Sequence, residues 1–195
     1  MELTISLLRP PSHQGGSILN MWRKARIGKY RSMLDEPTIY TSSADEPKGW
    51  RKEMRALNAL AFPDWDGRDS LPPSRKGHLW VFARTRAHEV LVGYAYVYWI
   101  ASVDDDVDTV VEQIAVHPAW QGRGIGRRLV AEVASTAQRF GRRRLAAAPL
   151  VGPDEERREL WLRSLGFTSP WGRGLTASPS EVIKAVHRLD QEGFT

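Results

Sequence analysis

Apolar residues recur along this chain at two periods, close to two and close to 3.6, and the switches between them mark out its elements. Residues 38–41 read as a short first strand. Pro47 then opens a helix in which Trp50, Met54, Leu57 and Ala61 share one face, and Pro63 stops it. Residues 64–75 are rich in Asp, Gly, Ser and Pro and form a loop. Residues 78–84 and 90–100 alternate as two strands about a turn at 86–89. A polar loop at 102–108 carries four aspartates, Asp104, Asp105, Asp106 and Asp108. Residues 109–116 give the next strand and 125–140 the strongest helix. The apolar stripe of that helix is Ile125, Leu129, Val133, Ala137 and Phe140, widened by Val130 and Ala134, with Gly141 as a left-handed cap. Residues 144–150 predict a further strand, 153–165 a helix ending at Gly166, and 182–189 a last strand after a loop. Helices alternating with strands around a mixed sheet put the chain in the α/β or α+β class.

The first 36 residues stand apart. Arg9-Pro10-Pro11 and Gly15-Gly16 precede a basic run with Arg23, Lys24, Arg26, Lys29 and Arg31, and the apolar positions fall only loosely at helical spacing. This predicts a basic N-terminal arm over 1–36, part helical, ahead of one domain over 37–195. A length of 195 residues, 42% of them hydrophobic, suits that plan and excludes wholesale disorder. The chain has no cysteine, which removes disulfides, thiolate metal sites and a cysteine nucleophile together. Its five histidines show no ligand spacing, so no metal is expected. Neither a signal layout nor an apolar run of about 18 residues occurs, so a soluble cytoplasmic protein is expected. A formal net charge of +5 points to an anionic partner without choosing one.

The arrangement of glycine and arginine does choose. In QIAVHPAWQGRGIGRRLV, residues 113–130, a strand ends at Val116, Pro118 breaks it, and Gly122, Gly124 and Gly126 lead into the amphipathic helix. Glycines let backbone N–H groups approach a ligand, and a helix start adds unpaired donors and positive partial charge, so phosphate is the natural guest. Arg123, Arg127 and Arg128 crowd that first turn, where positive charge costs about 0.3–1 kcal/mol each unless a bound polyanion reverses the sign. A P-loop would need Gly-Lys-Ser/Thr, which is missing. The dinucleotide fingerprint would need a glycine where Arg127 or Leu129 stands. No Gly-x-Ser-x-Gly elbow occurs.

Gln121-x-x-Gly124-x-Gly126, preceded by Ile114-Ala115-Val116-His117-Pro118 and followed by this helix, resembles the acyl-CoA motif of the GNAT N-acetyltransferase superfamily. Trp161-Leu162-Arg163-Ser164-Leu165-Gly166-Phe167 also resembles that family's last helix and turn. The resemblance runs from about residue 38 to residue 189 and is strongest over 112–140. It implies a mixed, mostly antiparallel sheet flanked by helices and splayed at its fourth strand, with acetyl-CoA as co-substrate in the gap. Pantetheine contacts would fall on the backbone of Ile114, Ala115 and Val116. The phosphate turn would comprise Gln121, Gly122, Arg123, Gly124, Ile125, Gly126 and Arg127. Arg128 and residues 142–144 are candidates for the remaining phosphate. His117 occupies a common family position and is expected to be structural.

Acetyl transfer to an amine needs a base for the ammonium proton, and Glu112 is the candidate. On a regular strand it shares a face with Val110, Ile114 and Val116, aliphatic neighbours that would raise its pKa toward neutrality. A bulge, usual in the family, would re-aim it. Backbone N–H groups near Val116 could polarise the thioester carbonyl. Many members carry a tyrosine as acid four residues before the glycine of the terminal Gly-Phe; here that position is Leu162. Tyr94, Tyr96 and Tyr98 line one sheet face, where packing is the first expectation and an acceptor wall or substitute acid the second. The loop aspartates, with Asp64 and Asp66 beside Trp65, could attract a cationic acceptor. The expected reaction moves acetyl from acetyl-CoA to a primary amine of a small molecule in a ternary complex. A protein amine, an aminoacyl-tRNA drawn by the basic arm, or a non-catalytic acyl-CoA sensor are the alternatives. No membrane partner is expected, and a homodimer is left open.

Overall fold

In the computed structural model of the chain, the described residues are 4–5, 37–42, 50–63, 77–85, 90–100, 107–149 and 154–193. The seven main strands are β1 (Thr38–Ser42), β2 (His78–Arg84), β3 (Leu91–Trp99), β4 (Thr109–Val116), β5 (Leu145–Ala147), β6 (Ser169–Trp171) and β7 (Gly174–Ala177). Four α-helices are interleaved: α1 (Trp50–Ala61), α2 (Ile125–Arg139), α3 (Glu155–Ser164) and α4 (Pro179–Gln191). The sheet order is β1-β2-β3-β4-β5-β7-β6, antiparallel throughout except for the parallel pair β4 with β5. A two-residue strand, Thr4–Ile5, adds an eighth member, parallel to β4 at Gln113 and Ile114.

The period-two strands bury both faces because helices cover both. Leu79, Val81, Ala83, Val97 and Val111 pack with Leu129, Val130, Val133 and Ala137 of α2, Leu162 of α3 and Val182 and Val186 of α4. Trp80, Phe82, Tyr94, Tyr96, Tyr98 and Val110 form the opposite core with Met54, Leu57 and Ala61 of α1. Leu129 and Val133 are both fully buried, a gain of about 1.5–3 kcal/mol each.

Three expectations change here. Residues 182–189, read as a strand, lie within helix α4. Ser178 and Glu181 close a reciprocal capping box ahead of it, Pro179 occupies its first turn, and Val182, Ala185 and Val186 fall at helical spacing on its buried face. Phe140 leaves the stripe of α2: the helix ends at Arg139, and Phe140 is 64% exposed beside Trp99. Gly141 follows with φ +67, the left-handed cap expected there. Finally, the strand predicted over 144–150 is paired only from Leu145 to Ala147. Pro47, residues 64–75 with Asp64 and Asp66, the turn at 86–89, Asp104 to Asp106, and all of the arm but Thr4–Ile5 lie outside the described residues. Among the described residues no helix is long and apolar enough to cross a membrane.

Candidate functional site

Strand β4 is where the sheet opens. On one side it pairs with β3 along its whole length, and on the other it pairs with β5 only from Thr109 to Val111. Beyond that point β5 runs out at Ala147, and the free edge of β4 at Gln113 and Ile114 is met by Thr4 and Ile5 instead. A ligand pairing with Ile114 there would take the place of that short strand. Ala115 and Val116 continue past it.

The β3–β4 register slips by one residue between Tyr96↔Gln113 and Val97↔Val111, which leaves Glu112 as the extra residue of a β-bulge. This corrects the regular-strand reading of Glu112. Val110 belongs to the aromatic core, whereas Ile114 and Val116 belong to the core against α2, so the three do not share a face. The bulge is the cause: one extra residue inverts the alternation that follows it. Glu112 is the single half-buried position in an otherwise buried strand.

At the C-terminal end of β4, the chain is tied into a defined turn. The His117 N–H donates to the Val92 carbonyl at 2.8 Å, and the His117 Nδ1 accepts from the Ala119 N–H at 3.1 Å, capping the 3-10 turn Pro118–Trp120. Burial pushes the His117 pKa below its ordinary value, which favours the neutral ring this hydrogen bond requires. The structural role expected of His117 is therefore met. The Gln121 Nε2 reaches back to donate to the Val116 carbonyl at 3.1 Å, so the side chain of Gln121 holds the loop against the strand.

Helix α2 then starts at Gly124 with φ +72 and no side-chain cap, so its first-turn N–H groups have no side-chain oxygen to satisfy them. No acidic residue lies in that turn either. At position 124 the left-handed φ favours glycine, and a Cβ there would stand 3.1 Å from Nε of Arg127, which would have to shift. At Gly126 the reason is close approach, since a Cβ would stand 3.3 Å from the indole of Trp161. Helix α3 thereby brings an aromatic wall to the mouth of the turn.

The arginines divide in a way their spacing does not reveal. Arg127 turns away to pair with Asp190 of α4 at 2.8 Å. Arg128 donates to the Pro37 carbonyl at 3.2 Å. Arg123 lies over the ring of Trp120 at 5.0 Å. The charges of Arg127 and Arg128 are thus bound into the fold, and the backbone N–H groups with the helix dipole remain as the anion-attracting feature of the turn. Arg142 stacks on Trp99 at 5.0 Å, and the backbone N–H groups of Arg143 and Arg144 are held by the Asp108 carboxylate at 2.7 and 3.4 Å. Asp108 is accordingly an anchor between β4 and β5.

Leu162, at the position where the resemblance would put a tyrosine acid, is fully buried in the core shared with α2. Tyr94, Tyr96 and Tyr98 are buried side by side, as the packing reading expected. The Tyr94 hydroxyl donates to Asn58 of α1, and burial raises its pKa above the ordinary phenol value. Two residues beside the turn and the bulge were not singled out by the sequence pattern. Trp161 was quoted only as part of the terminal motif, and Gln113 only as part of the strand. A polar residue in an otherwise apolar strand, next to the glutamate, was the available signal for Gln113.

The Acetyltransferase (GNAT) family model matches residues 37–167. No curated protein sequence matches the chain significantly. Among solved structures, an aminoglycoside acetyltransferase from an uncultured soil metagenomic sample, in complex with sisomicin, aligns at TM-score 0.56 and 15% identity, over 69% of this chain and 90% of that one. A ribosomal-protein-alanine N-acetyltransferase from Brucella melitensis biovar Abortus 2308 aligns at TM-score 0.52 and 20% identity, over 70% and 94%. An acetyltransferase of the GNAT family from Staphylococcus aureus Mu50 aligns at TM-score 0.50 and 11% identity, over 73% and 99%. At these identities the likeness is one of fold.

Proposed function

We propose a primary amine of a small molecule as the acceptor for this chain, which belongs to the GNAT acetyltransferase family. The chain is an acyl-CoA-dependent N-acetyltransferase with acetyl-CoA as co-substrate. The observation that carries the acceptor reading is the bulge at Glu112, next to the point where β4 and β5 part and to the buried amide of Gln113. Polar groups enclosed in a sheet, rather than spread over a surface, suit an acceptor that can be surrounded.

The phosphates lie against the N–H groups of Gly124, Ile125, Gly126 and Arg127 at the start of α2, with Gln121 holding the turn in place. The pantetheine arm then runs back along the free edge of β4, which brings the thioester toward Glu112. The Glu112 carboxylate takes a proton from the ammonium group, directly or through one water. The neutral nitrogen attacks the thioester carbonyl, whose oxyanion is met by backbone N–H groups near Val116. Collapse breaks the C–S bond, and the second proton of the attacking nitrogen passes through water to the departing CoA thiolate, leaving the neutral amide and CoA thiol. With Leu162 buried, the thiolate leaves without a dedicated acid, which a thiol of pKa about 8.5 tolerates. A direct attack suits a chain that contains no cysteine nucleophile.

Incubation of the purified protein with acetyl-CoA and a panel of amines, followed by thiol release, tests this reading. Glu112→Gln is expected to lower kcat by about 100-fold or more at neutral pH, with the deficit narrowing at high pH where the amine is already deprotonated. An unchanged rate from about pH 6 to about pH 9 would overturn the assignment of the base. A rise in melting temperature with CoA but no turnover of any amine would favour a sensor instead.

A further inference from the structure

We propose that Trp80, Tyr96 and Gln113 form a row that recognises the acceptor, and that the acceptor is a primary amine bearing a neutral oxygen, as a hydroxyl or carbonyl. The proposal rests on the small-molecule reading above and narrows it. The register sets the row: Trp80 pairs with Tyr96 across β2 and β3, and Tyr96 pairs with Gln113 across β3 and β4. The three side chains therefore stand in line on one face, perpendicular to the strands. The rings of Trp80 and Tyr96 are 4.5 Å apart, and all three residues are buried, Gln113 to 2% exposure.

Within this row the Trp80 Nε1 and both amide atoms of Gln113 are buried without a hydrogen-bond partner. Buried polar groups are nearly always satisfied, and an orphaned amide is a standing cost that a leucine or methionine would remove. On the same face the Tyr94 hydroxyl meets Asn58. The orphaned amide of Gln113 lies beside the bulged Glu112. Gln113 follows the bulged Glu112 directly and lies just past Val111, the last residue of β4 paired with β5.

The chemistry of the row specifies its guest. Gln113 Oε1 accepts a hydrogen bond from the amine nitrogen and so aims it, while Gln113 Nε2 and Trp80 Nε1 donate to an oxygen on the same molecule. No formal charge lies in the row, so a neutral oxygen is favoured over a carboxylate, whose desolvation nothing there would offset.

The experiment compares ethanolamine and glycinamide with propylamine as acceptors for the wild-type protein, Gln113→Met and Trp80→Phe, with acetyl-CoA affinity and melting temperature measured alongside. The wild type is expected to prefer the oxygen-bearing amines by at least about tenfold in kcat/KM. Q113M is expected to abolish that preference through KM, to leave the Kd for acetyl-CoA unaltered, and to melt higher because an orphaned amide has been removed. W80F is expected to weaken the preference by about half in logarithmic terms. A preference that survives Q113M, no preference in the wild type, or a lower melting temperature for Q113M would overturn the proposal while leaving the small-amine reading in place. Failure to acetylate any of the three amines, with acetyl-CoA bound, overturns both.

Discussion

Gly124 shows how much of the site is decided by single residues. Its φ of +72 strains any side chain, and a Cβ would also displace the Arg127 guanidinium. A left-handed non-glycine residue costs about 1–2 kcal/mol, and a Cβ here would also press on the guanidinium that pairs with Asp190. Gly122 has a similar φ of +75 but open space where its Cβ would go. Gly124→Ala is therefore expected to weaken CoA binding by about tenfold or more and Gly122→Ala by less, as read by calorimetric titration. Equal losses would mean that strain alone is at work and that Arg127 has no part in shaping the turn. The glycines were legible in the sequence because their conformational demand is local. The partner of Arg127 was not, because Asp190 lies in another helix and no spacing rule connects the two.

At the level of elements, α4 is the instructive case. The run from Val182 to Leu189 contains enough apolar and β-branched residues to read as a strand, yet Ser178-Pro179-Ser180-Glu181 before it is a helix start. The Ser178 hydroxyl accepts from the Glu181 N–H at 3.3 Å, and the Glu181 carboxylate accepts from the Ser178 N–H at 2.7 Å. Ser178→Ala is expected to cost about 1 kcal/mol of stability in urea denaturation. The backbone hydrogen bond from Ser178 holds the Glu181 carboxyl below its ordinary pKa. A depressed folded-state pKa stabilises the fold above the unfolded value, near about 4.3, and that contribution is lost as pH falls through the lower folded value. The stability difference between wild type and Glu181→Ala is thus expected at pH 7 and should shrink below about pH 4. A difference that persists in acid would assign the effect to helix propensity. The bulge at Glu112 belongs to this scale too. The chain's own pattern allowed regular and bulged strands alike, and only pairing with β3 selects between them.

For the molecule as a whole, the sheet brings the phosphate turn, the bulge and the aromatic row onto one strand and its neighbours. It also brings Thr4–Ile5 to the β4 edge where Ile114 is exposed to pairing. One strand edge serves one partner at a time, so a pantetheine arm paired with Ile114, as proposed, would compete with this segment for it. Ile5→Pro, which removes a backbone N–H from this two-residue strand, is expected to tighten CoA binding by a few-fold, on the order of the reciprocal of the unpaired fraction. An unaltered Kd would show that the cofactor binds beyond Thr4–Ile5, along Ala115 and Val116. By itself the sequence determined the order of elements through α3, the glycine turn before α2 and the family that turn resembles. All of these depend on residues close together in the chain: periodicity, caps and φ preferences act over a turn or two. Tertiary structure alone decided the face that Glu112 leaves, the burial of Leu162, the pairing of Arg127 with Asp190, and the alignment of Trp80, Tyr96 and Gln113. Those depend on strand register and on helices distant in sequence, and a one-residue bulge, invisible to a period, is enough to invert them.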